Sequence, residues 1–250
     1  MDNHIDFYEA LAPGYDALFM FEERLKTESA LLKPWVDRFT VTSAVDAACG
    51  TGLHAFVLAR MGIAVTGVDL SPAMVAKAND HAKKLNLSIP FVTGTIQELH
   101  KLVKTRVNAI FCTGNTIPHL TKKSSLVAAF RSFKKCLTPK GGVVLQLLNY
   151  RKILKDRDRI VGINRRGKTE FIRFYDLGKR NIRFNMLTIT EADKGLSHTL
   201  ESTTLYPYRS GEVACALKAA GFSDIKLFGS LAMEPYMPKS SDTLVVSARV

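Results

Sequence analysis

The sequence predicts an α/β fold: a doubly wound, mostly parallel sheet of seven strands whose last strand is antiparallel, with a small antiparallel β insertion after strand 5. Three observations carry that expectation. Residues 44–47 read as an apolar strand running into the glycine loop Cys49-Gly50-Thr51-Gly52. Seventeen residues beyond Gly52, a second apolar strand ends on the carboxylate of Asp69. From there to Leu148, short apolar runs alternate with amphipathic stretches, as parallel strands covered on both faces require.

Each element follows in order. Phe7, Leu11, Tyr15, Leu18 and Phe19 recur at helical spacing, and Pro13-Gly14 divides that stretch. A helix from about Glu22 to Phe39 completes an N-terminal helical lid over residues 1–40. Gly52–Met61 is the first crossover helix, with Gly62 as its C-cap. After Asp69-Leu70, Ser71 and Pro72 supply the N-cap and first turn of a helix reaching about Leu85. Ile89–Val92 is strand 3, Gln97–Val103 a short helix, and Asn108–Cys112 strand 4. A helix over Lys123–Leu137 and a turn at Pro139-Lys140-Gly141-Gly142 lead to strand 5, Val143–Leu148. Segments 169–175, 181–190 and 198–206 then alternate apolar and polar residues, which marks antiparallel strands. They lie in an expected basic insertion, 151–208, over the acceptor side of the site. A helix at Ser210–Ala220 and strands Asp224–Phe228 and Thr243–Ala248 close a single domain spanning 1–250.

Composition narrows the class. With 46% apolar residues the chain holds a substantial core and is not disordered. No apolar run approaches the roughly 18 residues of a membrane span. Met1-Asp2-Asn3-His4 does not open a secretory signal. Cys49, Cys112, Cys136 and Cys215 are scattered, which suits a reducing, cytoplasmic setting and offers no metal site. The net charge is +12, and residues 151–183 hold twelve Lys/Arg against four Asp/Glu, a surplus of eight. That segment reads either as a solvated face or as a surface for an anionic partner.

A glycine loop lets the backbone approach a ligand closely, and a carboxylate ending the next strand grips ribose hydroxyls in doubly wound folds. A nucleoside cofactor is therefore expected. Gly50-x-Gly52-x-x-Ala55 satisfies a dinucleotide fingerprint. Asp46, however, places a carboxylate near the ligand, which suits a cofactor bearing an ammonium and a sulfonium better than a pyrophosphate. Asp46-x-x-Cys49-Gly50-Thr51-Gly52 resembles motif I of the class I S-adenosylmethionine-dependent methyltransferases, whose fold is Rossmann-like. Three further stretches resemble the glycine/sarcosine N-methyltransferase branch and its small-molecule relatives: Tyr8-Glu9-x-Leu11-Ala12-x-x-Tyr15-Asp16, Gly114-Asn115-Thr116-Ile117-Pro118-His119-Leu120, and Asn149-Tyr150-x-x-Ile153-Leu154.

That resemblance implies S-adenosyl-L-methionine as cofactor and methyl transfer to nitrogen or oxygen of a small molecule. It implies a cofactor site at Asp46, the Ala48 carbonyl, Gly50, Gly52, Asp69 and Leu70. Met74 is expected against the adenine, with Thr95 and Ile96 where relatives carry an adenine-binding Asp, and Cys112 at the end of strand 4. Arg24 resembles the arginine that holds the methionine carboxylate. Asn115, His119 and Tyr15 are the expected catalytic group, with His119 as a possible proton acceptor and Tyr15 closing the cleft. Where glycine N-methyltransferases place an arginine before the Asn-Tyr pair, this chain has Leu148. Arg151, Arg173 and Arg183 are alternative anion binders, and Tyr175, Tyr206 and Tyr208 are candidates for lining the acceptor site. Two other readings stay open: an RNA methyltransferase using the basic insertion, and an inactive cofactor-binding protein. Oligomeric state is not legible.

Overall fold

The structure, a computed structural model, describes residues 3–192 and 195–250; Met1 and Asp2, which open the N-terminal segment, lie outside the described residues. Helices α1 (Asn3–Leu11) and α2 (Tyr15–Leu18) flank a 3-10 turn at Pro13-Gly14. Helices α3 (Phe21–Thr27) and α4 (Ser29–Phe39) replace the single helix expected over 22–39, and the break falls at Glu28. Strand β1 (Ser43–Ala47), α5 (Leu53–Arg60), β2 (Ala64–Asp69), α6 (Pro72–Leu85) and β3 (Phe91–Thr93) form the first half of the sheet. Helix α7 (Leu99–Leu102), β4 (Val107–Cys112), α8 (Lys123–Cys136) and β5 (Leu137–Leu148) follow. Strand β5 is longer than expected, because Pro139-Lys140-Gly141-Gly142 forms a bulge within it rather than a turn before it. The pairing with β4 slips there, and Lys140 takes a φ of 67°.

The seven-stranded sheet has the order β10-β11-β5-β4-β1-β2-β3, with β10 (Ser223–Phe228) and β11 (Thr243–Arg249) closing it. Strand β11 runs antiparallel to both neighbours and the other pairings are parallel, as expected. The chain steps outward from β1 to β3, then returns to the other side of β1 as β4. That reversal opens a crevice at the carboxyl ends of β1 and β4, where doubly wound sheets bind ligands. Apolar cores cover both faces: Val45, Ala47, Ile110 and Val143 pack under α8 and α10 (Ser210–Ala219). Ala44, Val65, Ala109 and Val144 pack under α4 and α5. The indole of Trp35 is fully buried there and donates to the Leu231 carbonyl at 2.7 Å.

Past α9 (Tyr150–Asp156), the insertion is a separate antiparallel sheet, β6 (Ile160–Arg166), β7 (Thr169–Leu177), β8 (Ile182–Ala192) and β9 (Gly195–Leu205), in that order. Four strands stand where three were expected; β6 was hidden because charged residues crowd its flanks. Paired residues share a face, so Phe171, Arg173, Tyr175, Phe184, Met186, Thr203 and Leu205 lie on one side. That side is turned toward the rest of the molecule. Phe171 and Met186 pack on Phe7, Leu11 and Leu18 of the N-terminal helices, and Tyr175, Ile182 and Leu205 pack on Tyr150.

A Cβ built at Gly142 would run into the ring of Phe39. Gly142→Ala should therefore cost about 1–3 kcal/mol by overpacking, read as a lower urea midpoint at unchanged slope.

Candidate active site

The loop after β1 is built from unusual backbone. Ala48, Gly50 and Gly52 have φ values of 62°, 55° and 92°. Glycine takes that region freely, whereas at Ala48 it stores strain of the kind that concentrates at functional sites. A Cβ at Gly50 would stand in ordinary contact with the Tyr15 ring, 3.6 Å from its hydroxyl, so the ring lies directly over the loop.

Two carboxylates brace the loop. Asp46 is 1% exposed and accepts the Ala55 N–H at 2.9 Å, fastening the start of α5 to β1. Burial pushes its pKa up to about 6, against the opposing pull of the His54 charge and the Ala55 N–H. Asp69 accepts from Gly50 N–H at 2.8 Å with one oxygen and from Ser71 N–H at 2.9 Å with the other. Burial raises its pKa too, partly offset by those N–H groups and that of Leu70.

The N-terminal helices close over this loop through specific polar contacts. Glu9 accepts from the Ser71 hydroxyl at 2.5 Å and from Ala73 N–H at 3.1 Å, placing a carboxylate at the start of α6. Asp16 meets His81 at 2.9 Å and Lys77 at 3.5 Å, and Lys77 also donates to the Pro13 carbonyl. Tyr8 and Tyr15 are thereby held with ring centroids 6.5 Å apart. Burial raises both hydroxyl pKa values far above neutrality, so each remains an O–H.

A second network runs behind the glycine loop. Arg24 Nε donates to Glu28 at 2.7 Å, the other Glu28 oxygen lies 3.4 Å from His54 Nε2, and His54 Nδ1 is 2.8 Å from the Thr113 hydroxyl. Burial opposes ionisation of Glu28, but His54 and Arg24 outweigh it and bring the pKa down to about 2. Glu28 is thus an anion that orients Arg24. A cavity of about 400 Å³ opens beside Arg24, Glu28 and Gln146.

On the opposite side, Asn115 (φ 70°) accepts from Leu148 N–H at 3.0 Å, and its amide nitrogen lies 2.8 Å from the Tyr150 hydroxyl. His119 Nε2 is 3.0 Å from the Tyr8 hydroxyl, and its Nδ1 is 3.4 Å from the hydroxyl of Thr203 on β9. One imidazole therefore joins lid, sheet and insertion.

The structure brings Tyr15, Ala48, Gly50, Gly52, Asp69, Asn115 and His119 to one crevice, with Arg24 at its margin. Asp46, Met74 and Cys112 are 1%, 1% and 0% exposed and form its foundation rather than its open wall. Burial raises the Cys112 thiol pKa. Ile96 is buried in the core, while Leu70 and Thr95 are half-buried, the Thr95 hydroxyl donating to Glu98. Tyr206 and Tyr208 pack on each other, with Tyr208 bonded to the Leu120 carbonyl and Tyr206 to Glu212. Sequence reasoning gave no role to Glu9, Glu28, His54 or Thr203; apart from the Arg24–Glu28 bond four residues apart, their partners are tens of residues away. The capping serine at 71 was the one local hint of the Glu9 contact.

Residues 44–141 match the family model described as a methyltransferase domain. The whole chain is similar to the glycine/sarcosine N-methyltransferase of Aphanothece halophytica, 24% identical over 98% of this chain and 89% of that protein. A ubiquinone biosynthesis O-methyltransferase of Alkalilimnicola ehrlichii is 32% identical over 42% of this chain and 41% of its own. Among solved structures, a S-adenosylmethionine-dependent methyltransferase from Clostridium acetobutylicum shares the fold with a TM-score of 0.82, at 15% identity over 97% of this chain and 98% of its own. An amino pentose methyltransferase from Micromonospora echinaspora aligns with a TM-score of 0.73, at 21% identity over 94% and 96% of the two chains.

The buried Asp46 carboxyl gives a pH test. Its folded pKa is raised, so the folded protein binds the extra proton between the ordinary value and about 6. Stability from this group is present below that window and lost as pH rises through it. Asp46→Asn keeps an acceptor for Ala55 and removes the titration. Its stability relative to the parent should grow by on the order of 3 kcal/mol between pH 4 and pH 8 in urea unfolding. A difference independent of pH would show that Asp46 titrates normally.

Proposed function

Taking as premise that this chain is a class I S-adenosylmethionine-dependent methyltransferase, we propose that it methylates the nitrogen of a small amine in a closed, aromatic site. The observation that carries this reading is the closure of lid and insertion over the crevice, fastened at His119 between Tyr8 and Thr203. Such a roof suits a small acceptor and leaves little access for a nucleic-acid strand. Ion pairs within and around the basic insertion also answer part of its charge: Arg159 with Asp176, Arg165 with Glu191, Lys152 with Asp242. All four cysteines are free, which supports a reducing, cytoplasmic setting, and no helix among the described residues is long and apolar enough to cross a membrane.

The residues fit the cofactor. Asp69 would accept from the ribose hydroxyls, with Leu70, Met74, Thr95 and Ile96 shaping the adenine side. Gly50 and Gly52 leave room for the methionine portion beside the Ala48 carbonyl, and Arg24 would hold its carboxylate. Asp46 supports the ammonium end from behind the loop, and Cys112 floors the crevice. When bound, S-adenosyl-L-methionine supplies an electrophilic methyl group on a sulfonium.

The rest of the chemistry belongs to the protein. Tyr8 and Tyr15 present ring faces and protonated hydroxyls, a wall that favours positive charge without supplying a competing nucleophile. Asn115 is held by Leu148 and Tyr150, so it fixes the shape of the acceptor site. Both nitrogens of His119 have protein partners, which makes it a positioning residue for Tyr8. A neutral amine attacks through its lone pair and needs no base beforehand, whereas a hydroxyl acceptor must be relieved of its proton. The arrangement therefore favours nitrogen, with alignment supplying most of the rate.

Charge-assisted hydrogen bonds are worth about 1.5–3 kcal/mol each, so Asp69→Ala should weaken S-adenosylhomocysteine binding at least tenfold by calorimetry. An unchanged dissociation constant would sink the ribose assignment. His119→Gln should lower kcat while preserving the shape of the pH–rate profile; loss of one limb would make His119 the base instead. The acceptor class is tested by incubating protein, methyl-labelled S-adenosylmethionine and cell extract. Label in nuclease-resistant small amines is expected, and label in RNA would overturn the reading.

A further inference from the structure

The inner face of the inserted sheet carries one half-buried cation, Arg173; Arg166 lies on the same face but is exposed at its far end, and Glu201 stands in the row of Arg173 across Met186. Arg173 is paired with Met186 and flanked along β7 by Phe171 and Tyr175, all on the side turned toward the crevice. Phe171 and Met186 touch the lid helices and Tyr175 packs with Tyr150, so Arg173 sits in the roof between the two aromatic clusters. Arg183 is on the other face of the sheet, and both it and Arg151 are exposed.

The guanidinium is only partly satisfied. Its Nη2 donates to Asn164 at 2.9 Å, while Nε is buried with no hydrogen-bond partner. No carboxylate forms an ion pair with it among the described residues. A half-buried guanidinium without a counter-charge is costly, and burial lowers its pKa. The residue opposite it on β6 is Gly162, where a Cβ would lie 2.7 Å from Nη2. Room for the guanidinium thus depends on a missing side chain. Charge, orphaned N–H and space converge on a roof position facing the acceptor side.

We propose that Arg173 is the acceptor's anchor: its guanidinium, through the unpartnered Nε–H, binds a carboxylate on the amine substrate, placing the amine toward Asn115 and Tyr8. This deepens the methyltransferase reading and rests on it. The anchor lies in the roof and the floor is formed by the parallel strands. The acceptor is therefore an amino acid-like molecule long enough to span the two, with carboxylate and amine at opposite ends. Arginine suits this role because its planar edge matches a carboxylate with two parallel hydrogen bonds.

The test uses the full chain saturated with S-adenosylhomocysteine, titrated calorimetrically with 4-aminobutyrate and 3-aminobenzoate and with their primary amides. The wild type should bind the carboxylates at least tenfold more tightly than the amides. Arg173→Met should abolish that preference and leave S-adenosylhomocysteine binding unchanged, and Arg173→Lys should retain part of it. Gly162→Ala keeps the charge but displaces the guanidinium, and should weaken the preference even if Arg173→Met does not fold. Equal binding of acids and amides by the wild type overturns the proposal, as does a full preference surviving in Arg173→Met or Gly162→Ala. Failure of the wild type to bind S-adenosylhomocysteine would overturn the methyltransferase reading as well.

Discussion

The carboxylate of Asp69 ties together the segments that frame the crevice. It ends β2, takes the N–H of Gly50 from the neighbouring loop, and takes the N–H of Ser71 at the start of α6. Three segments that must be mutually placed for a nucleoside to bind are therefore held by two short hydrogen bonds. The group keeps further acceptor capacity, because an ionised carboxylate offers about four lone-pair sites and these contacts use two. Burial raises the cost of its charge, so each further hydrogen bond donated to it would offset that cost.

The lid depends on that same arrangement. Glu9 reaches Ser71, whose own N–H bonds Asp69, so the N-terminal helix is fastened to the residue that positions the Asp69 carboxylate. Tyr15 then faces Gly50 from above. Opening the lid means breaking the Glu9, Asp16 and Tyr8 contacts together. Apolar packing of Phe7, Leu11 and Leu18 on Phe171 and Met186 holds the same helices to the inserted sheet.

Much of this was legible in the sequence, for physical reasons. Parallel strands buried on both faces read as apolar runs, and Ser71-Pro72 announces a helix start, so β1, β2, β4 and α6 were placed closely. The glycine loop and Asp69 were visible because close backbone approach demands particular residue types at fixed spacing. The bulge at Lys140 was misread as a turn because Pro-Lys-Gly-Gly signals either. Strand β6 escaped because Ile160 and Ile163 are exposed on an edge among charges, where alternation carries no burial signal. Glu28 and His54 were invisible in kind: a buried contact between them spans 26 residues of sequence, and no local pattern records it.

The chemistry follows from what the crevice contains and how its polar groups are committed. Its tyrosines are held protonated by burial, Asn115 is bonded to the end of β5, and His119 spans lid and insertion. Groups fixed in this way align reactants well and exchange protons poorly. An amine nucleophile asks for the first and not the second, because its proton can leave after the bond has formed. The guanidinium of Arg173 extends the same logic to the roof, where orientation again depends on a fixed donor with no proton to give up. On the proposed reading, lid, floor and roof converge on one strategy: hold a small acceptor in line, keep water and rival nucleophiles out, and let the reactivity of the methyl donor do the rest.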